Sequence, residues 1–432
     1  MLLSNPTIIS VLSLCVLCLL KVNVIMAMLV SIFVGGFAGG MGISDILSSV
    51  YTGLGSNAET CLAYLLMGIF AACMEKTGIA GILSRKVAAS VKDKKYILIL
   101  VLTLVAVSSQ NLVLVHIAYI PILIPPLLSL MNKLKIDRRV VACCTAFGLK
   151  APYIAIPVGA GLVFMGIIRD NMTDNGMPVT IDQIASVNWI LGLAMLIGLL
   201  IAIFITYRRP REYRDIRITE DTEGELKMQP RHWWTLAAIA VLVIVQLKYQ
   251  SLPLAEFGAL VVIFLSGAVK LEDMDKEVSE GIRLMGFTAF VILIAGGYAQ
   301  VLKDTGAVES LVSGAISIMG GSRMVAAVVI VLIGLFVTMG IGTSFGTIPI
   351  IAVIFVPLCQ RLGFSPLATV ILISAAAALG DAGSPASDTT LGPTCGLNVD
   401  GQHDHIWDTC VPTFLHFNIP LMIAAVIAAQ IL

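Results

Sequence analysis

Charge is scarce in this chain. Asp, Glu, Lys and Arg make up 12% of its 432 residues against 58% hydrophobic, and mean hydropathy is +0.97. A domain wetted on its whole surface carries about a quarter of its residues charged, so a water-soluble fold is excluded and the solvent is lipid. Basic and acidic residues number 27 each, so no net charge is left to hold nucleic acid. The nine cysteines (15, 18, 61, 73, 143, 144, 359, 395, 410) lie scattered through or beside apolar runs. That spacing gives no disulfide framework and reads as small hydrophobes, not metal ligands. No basic residue precedes the first apolar run and no small-residue cleavage site follows it, so it reads as a span, not a removable signal. A nucleotide loop, a large polar domain and a nucleophile beside a base are all missing, which argues against an enzyme or a bound cofactor.

What the chain does have is apolar runs of about 16 to 20 residues, near 6–20, 23–40, 59–76, 187–206, 233–248, 254–270, 285–301 and 413–431. At ~1.5 Å per residue each can cross a hydrocarbon core of ~30 Å as a helix. Two stretches, 96–168 and 324–395, break this pattern in the same way. Each has an apolar run interrupted by a polar cluster, SSQN at 108–111 or GTSFGT at 342–347. A proline-rich run then leads to Pro125 or Pro357, and an apolar segment follows that is interrupted by GLKAP at 148–152 or by GDAGSPASDTT at 380–390. Thr77-Gly78 recurs as Thr305-Gly306, and Pro125 and Gly148 recur as Pro357 and Gly380. The chain therefore reads as a tandem repeat, 1–206 and 233–432, joined by a basic linker at 207–232.

Basic loops at 85–95 and 131–139 flank 96–130, so by the positive-inside rule both lie in the cytoplasm and 96–130 enters and leaves on one side. Its first run is too short for a full span, which suggests a re-entrant hairpin with SSQN at its tip. Five crossings per half invert the second repeat. The expected fold is an all-α membrane protein of two inverted repeats, each with five transmembrane helices and one re-entrant hairpin, with interrupted helices meeting at the midplane. This topology places 20 Lys and Arg inside and five outside. One loop fits badly: 396–412 should be cytoplasmic yet holds neither Lys nor Arg.

Asp381 and Asp388 stand in the middle of an apolar stretch, where a carboxylate costs about 2.5–3.5 kcal/mol on insertion scales and marks a functional site by default. Gly380, Gly383 and Pro385 argue for an unwound helix between them. Ser384, Ser387, Thr389 and Thr390 add hydroxyl oxygens, the hard ligands that a small cation such as Na+ prefers, and a carboxylate also admits a competing proton. Alternatively one Asp caps the second half-helix or pairs with Lys150, since SDTT is a good N-cap sequence. Lys150 holds the matching point of the first repeat, as a counter-charge to either Asp or as a partner for a substrate carboxylate. The hairpin tips offer Ser108, Ser109, Gln110 and Asn111 on one side and Thr343, Ser344 and Thr347 on the other, with His116 as a possible proton relay. The HDH at 403–405 reads as a solvated loop or a pH-sensing surface.

GDAGSPASDTTLGPT, followed by the HDH loop and a last span, resembles the NhaC-type Na+/H+ antiporter family of the ion transporter superfamily. GTSFGT before IPIIAVIFVP is similar to that family's second hairpin. The resemblance covers nearly the whole chain, most specifically its C-terminal motif. It implies a scaffold and a transport domain in each protomer, a homodimer in the bacterial inner membrane, and elevator-like alternating access coupled to Na+ and H+. By motif position it implies a cation and proton site from Asp381, Ser384, Ser387, Asp388, Thr389 and Thr390, faced by Thr343 and Ser344. Ala382-Gly383 stand where the family has a bulkier polar pair. That leaves room for a small organic solute such as an amino acid, so a carrier of that kind is the alternative.

Overall fold

A computed structural model describes residues 5–20, 22–79, 82, 94–108, 119–214, 216, 228–249, 251–307, 322–341 and 344–432. Among these, every regular element is helical. The helices are α1 (Pro6–Leu19), α2 (Val24–Ala38), α3 (Ile43–Ser56), α4 (Ala58–Thr77), α5 (Lys95–Ser108), α6 (Tyr119–Lys133), α7 (Arg138–Ala155), α8 (Ala160–Asp174) and α9 (Ile181–Ile201). The second half holds α10 (Pro230–Tyr249), α11 (Leu252–Leu265), α12 (Met274–Asp304), α13 (Arg323–Ile341), α14 (Ser344–Arg361), α15 (Pro366–Ala378), α16 (Asp388–Leu397) and α17 (His405–Ile431). Five helices are long and apolar enough to cross a membrane alone, and up to seven spans result if bent pairs are joined, with shorter apolar helices beside them. Backbone groups in lipid must find partners inside their own segment, which is why the apolar runs are helical throughout.

Side chains at the ends fix where helices begin. Asp137 and Ser365 cap the two interrupted helices, accepting from the N–H of Arg139 and Ala368 at 3.0 Å each. The recurring Thr-Gly pairs recur in conformation too. Thr77 and Thr305 donate their hydroxyls to the carbonyls of Met74 and Leu302, and Gly78 and Gly306 follow with φ of 81° and 62°, the left-handed geometry that ends a helix. The sequence pattern alone missed α3, whose mixed SSVYTGLGS face is not apolar, and it made α12 too short at 285–301.

Hydrogen bonds and ring contacts sort the ends of the helices onto two faces. On one, the linker backbone receives a hydrogen bond from Lys95 Nζ at 3.0 Å and donates from Arg211 N to the Lys135 carbonyl at 3.1 Å. Tyr213 accepts from Arg138 N at 3.0 Å, and Arg214 N donates to Gln402 at 2.8 Å. On the other, Arg323 stacks over Phe364 at 4.7 Å and Gln360 donates to the Gly176 carbonyl at 2.7 Å. Both ends of the α5–α6 pair therefore lie on the linker face, and both ends of α13–α14 on the far face. The pair α7–α8 runs from the linker face to the far face, and α15–α16 runs back.

The loop that lacks Lys and Arg fits this arrangement through its acids. Asp400 forms a two-pronged pair with buried Arg138 at 2.6 and 2.5 Å, and Asp408 pairs with Arg211 at 2.7 Å. The basic neighbours supply the charge that this loop does not carry itself.

Candidate functional site

The second interrupted helix breaks where the sequence says it should. Gly380 and Gly383 take φ of 90° and 87°, which side chains disfavour, and Ser387 caps α16 by accepting from Thr389 N at 3.2 Å. Carbonyls released by the break are held by side chains. Asn418 donates to Ala382 O at 2.6 Å, Thr390 to Ser387 O at 2.9 Å and more closely to Ser384 O, and His405 Nε2 stands 2.9 Å from Pro385 O.

The first interrupted helix differs from expectation. GLKAP is helical, and the break falls at 156–159, after the full length of α7. Pro157 decides this: a residue before proline is pushed out of the helical region, and Ile156 sits extended at φ −117°, ψ 122°. Lys150 thus lies on a continuous helix one and a half turns before the break. The two matching glycines still do the same work. A Cβ on Gly148 would lie 2.2 Å from the Cβ of Ala106 near the end of α5, and one on Gly380 would lie 2.7 Å from the Met339 amide near the end of α13. Each glycine lets a hairpin arm reach the interrupted helix of its own half.

Asp381 is where the halves meet. Its Oδ2 accepts from the Tyr153 hydroxyl of α7 at 2.9 Å and, in a very short bond, from Ser344 at the start of α14. Tyr153 and Ser344 are themselves 2.9 Å apart, and the rings of Tyr153, Phe164 and Phe345 pack together beside them in edge-on and tilted contacts. The other carboxylate oxygen, Oδ1, is buried with no hydrogen-bond partner among the described residues. Lys150 Nζ is buried and unpartnered in the same sense, and the charges of Lys150 and Asp381 act on each other.

Of the other expected residues, Ser384, Ser387, Thr389 and Thr390 line the break and are buried, and Asp388 is half-buried in the first turn of α16. Thr347 is buried one turn beyond Ser344, and Ser108 ends α5. Ser109, Gln110, Asn111, His116 and Thr343 lie outside the described residues. The HDH is not a solvated loop: His403 is buried, and His405 reaches into the break. No group of three or more His, Cys, Asp or Glu among the described residues could hold a metal, so hydroxyl and carbonyl oxygens would have to complete any cation shell.

Sequence reading missed several members. Tyr153 is one, although its place three residues after Lys150 puts both on one helical face. Asn188 and Asn418 are another pair: each donates to a carbonyl beside a break, Ile154 O at 3.1 Å and Ala382 O at 2.6 Å. Their spacing is close to that of the recurring Thr-Gly pairs and of Gly148 and Gly380, which was the available signal. Glu256, a lone acid in an apolar run, is buried on α11 with Oε2 unpartnered among the described residues.

A model of the Na+/H+ antiporter family matches residues 144–428, which contain both breaks, and a second Na+-H+ antiporter family model matches 5–91. The chain belongs to the Na+/H+ antiporter family. It is an integral, multi-pass membrane protein and a secondary transporter. An uncharacterized membrane protein of Vibrio parahaemolyticus is 44% identical over 441 residues, 99% of this chain and 100% of that one. YuiF of Bacillus subtilis, named as a candidate amino acid transporter, is 44% identical over 446 residues, with the same coverage. Among solved structures, MtrF of Neisseria gonorrhoeae, described as illuminating a class of antimetabolite efflux pumps, is 16% identical at a TM-score of 0.44, over 90% of this chain and 85% of that one.

Proposed function

We propose that this family member exchanges Na+ for H+ at one intramembrane site. Asp381 and Asp388 supply the charge there, and Ser384, Ser387, Thr389, Thr390, Ser344, Thr343 and Thr347 the hydroxyl oxygens. The observation that carries the reading is Asp381 Oδ1, a buried carboxylate oxygen without a hydrogen bond beside a helix break. An unpartnered buried carboxylate is costly, and a small hard cation or a proton relieves it equally well. Competition of the two for one oxygen is the basis of exchange.

The site alternates between the faces by elevator-like movement within two inverted repeats, 1–206 and 233–432, about the linker 207–232. Each repeat would carry five spans and one hairpin. The opposite directions of α7–α8 and α15–α16 support this, as do Thr77 with Thr305, Gly148 with Gly380, and Asn188 with Asn418 in matched roles. The linker face, rich in Lys and Arg, would be cytoplasmic, in the inner membrane of a bacterium, with the protein as a homodimer.

The test is sodium-driven proton movement in everted vesicles. It should persist without any organic solute and vanish in Asp388→Asn and Asp381→Asn. No sodium-driven pH change in the unaltered protein would sink the reading.

A second reading rests on Lys150 Nζ, unpartnered like Asp381 Oδ1 and of opposite charge. A small zwitterion such as an amino acid offers a carboxylate to one and an ammonium to the other, and Na+ or H+ would then drive its transport. The name given to YuiF favours this. Sodium-dependent thermal stabilisation by an amino acid, lost in Lys150→Met, would establish it over pure ion exchange. The remaining tip residues Ser108, Ser109, Gln110, Asn111 and His116 would complete the solute side of the site.

A further inference from the structure

The Tyr64 hydroxyl of α4 is fully buried and has no hydrogen-bond partner among the described residues. It faces α16, where a Cβ built on Gly392 would lie 4.0 Å from its oxygen. Asp388 stands one turn before Gly392 on that helix, so its side chain is on the same face. The Asp388 carboxylate accepts no hydrogen bond among the described residues, and its charge acts on Tyr64 ahead of those of Cys395 and of Glu256 on α11.

The helix that carries Tyr64 lies outside both interrupted helices and outside both hairpins. Glycines fasten it to α12: a Cβ on Gly68, one turn past Tyr64, would lie 2.3 Å from the Gly281 carbonyl oxygen, and one on Gly281 would lie 2.3 Å from the Ile69 amide. The Tyr64 ring shares one apolar cluster with Met285 of α12 and with Ala386 and Leu391, which bracket Asp388 in sequence. Packing accounts for the ring and not for the hydroxyl. Phenylalanine would fill the same space without burying an unpaired oxygen, which is costly to bury.

We propose that Tyr64 is a cation ligand: its phenol oxygen and the Asp388 carboxylate hold one small monovalent cation between α4 and α16, a role that rests on the antiport reading. Both are hard oxygen donors, and Asp388 brings the single negative charge that such an ion balances. The ion gives the phenol oxygen and the carboxylate the partner that each lacks, and the phenol keeps its hydrogen throughout. A bound ion draws on several oxygens and a proton on one or two, so an added ligand favours the ion over the proton at the same carboxylate. The charge of Asp381 also acts on Asp388, so these two oxygens extend the site at the break across to α4.

The test is the unfolding temperature of purified protein in detergent as sodium chloride replaces choline chloride stepwise. Without sodium, Tyr64→Phe should unfold where the unaltered protein does, because the hydroxyl it removes is unpaired. For equal stabilisation it should need about tenfold more sodium, since losing even an outer partner of a bound metal typically costs ~10–100-fold in affinity. With Asp388→Asn already present, Tyr64→Phe should add nothing. An unchanged sodium dependence in Tyr64→Phe overturns the ligand role, as does an effect that persists undiminished beside Asp388→Asn, or sodium that does not stabilise the unaltered protein. Sodium-driven proton movement in everted vesicles judges the antiport reading separately. If it is absent while Tyr64→Phe still shifts the sodium dependence, antiport falls and the ligand stands. If it is present with the same half-saturation by sodium in Tyr64→Phe, the ligand falls and antiport stands.

Discussion

The Tyr153 hydroxyl donates to Asp381 Oδ2 at 2.9 Å, so the intact part of one interrupted helix holds the broken part of the other. The two residues lie in different halves of the chain, and this bond, shared with Ser344, orients the carboxylate and leaves Oδ1 open. Tyr153→Phe removes the donor without changing the ring. A hydrogen bond to a charged group is worth about 1.5–3 kcal/mol, so half-saturation by sodium should rise about tenfold or more. The sodium dependence of transport in vesicles measures it, and an unchanged half-saturation would show that the tyrosine only packs.

Gly380 should tolerate no side chain. Its positive φ costs about 1–2 kcal/mol for other residues, and a Cβ there would press on the Met339 amide, where overpacking adds about 1–3 kcal/mol. Gly40 has a similar φ of 78° with nothing within 4 Å. Gly380→Ala should therefore lower the unfolding temperature in detergent by several degrees more than Gly40→Ala. Equal effects would mean that the hairpin arm yields at no cost.

Arg138 and Asp400 are a buried pair, and removing one partner from such a pair costs about 3–5 kcal/mol. Arg138 also donates to Leu397 O and Asn132 and stacks over Tyr213 at 4.3 Å. Arg138→Lys cannot reproduce the fork, so it should fall close to Arg138→Ala in thermal stability. A lysine variant as stable as the original would reduce the pair to a simple charge contact.

Acid should loosen the linker face in two steps. Burial holds the His403 ring below its ordinary value of about 6.5, so its contribution to stability is full above that pH and is lost progressively as pH falls toward the folded value. Burial alone would raise Asp400, but the hydrogen bonds and charge of Arg138 outweigh it and hold that carboxyl below the usual range of about 3.9. Its contribution is complete above that pH and disappears only at stronger acid. Unfolding temperature should decline from about pH 6.5 downward, and His403→Gln should flatten the first part of the decline. A curve unchanged by that substitution would place the titrating group elsewhere.

The sequence by itself determined the lipid environment, most of the helical elements and the break at 380–390. Each of these rests on local chemistry: apolar run length, glycine and proline at fixed offsets, and carboxylates where no water is available. The family resemblance drawn from GDAGSPASDTT held for the same reason, since a motif is a local property. Tertiary structure alone decided which oxygens face which donors. Asp381 could have paired with Lys150 across the halves, but Tyr153 and Ser344 take Oδ2, because the first break falls at 156–159 and not at GLKAP. His403 and His405 read as a wet loop because their neighbours in sequence are polar, yet the arginines that bury and neutralise that loop lie far upstream, at Arg138 and Arg211. Burial of a polar segment depends on partners that arrive from distant parts of the chain. Local pattern carries no record of them, whereas helix breaks and caps are written in the residues that form them.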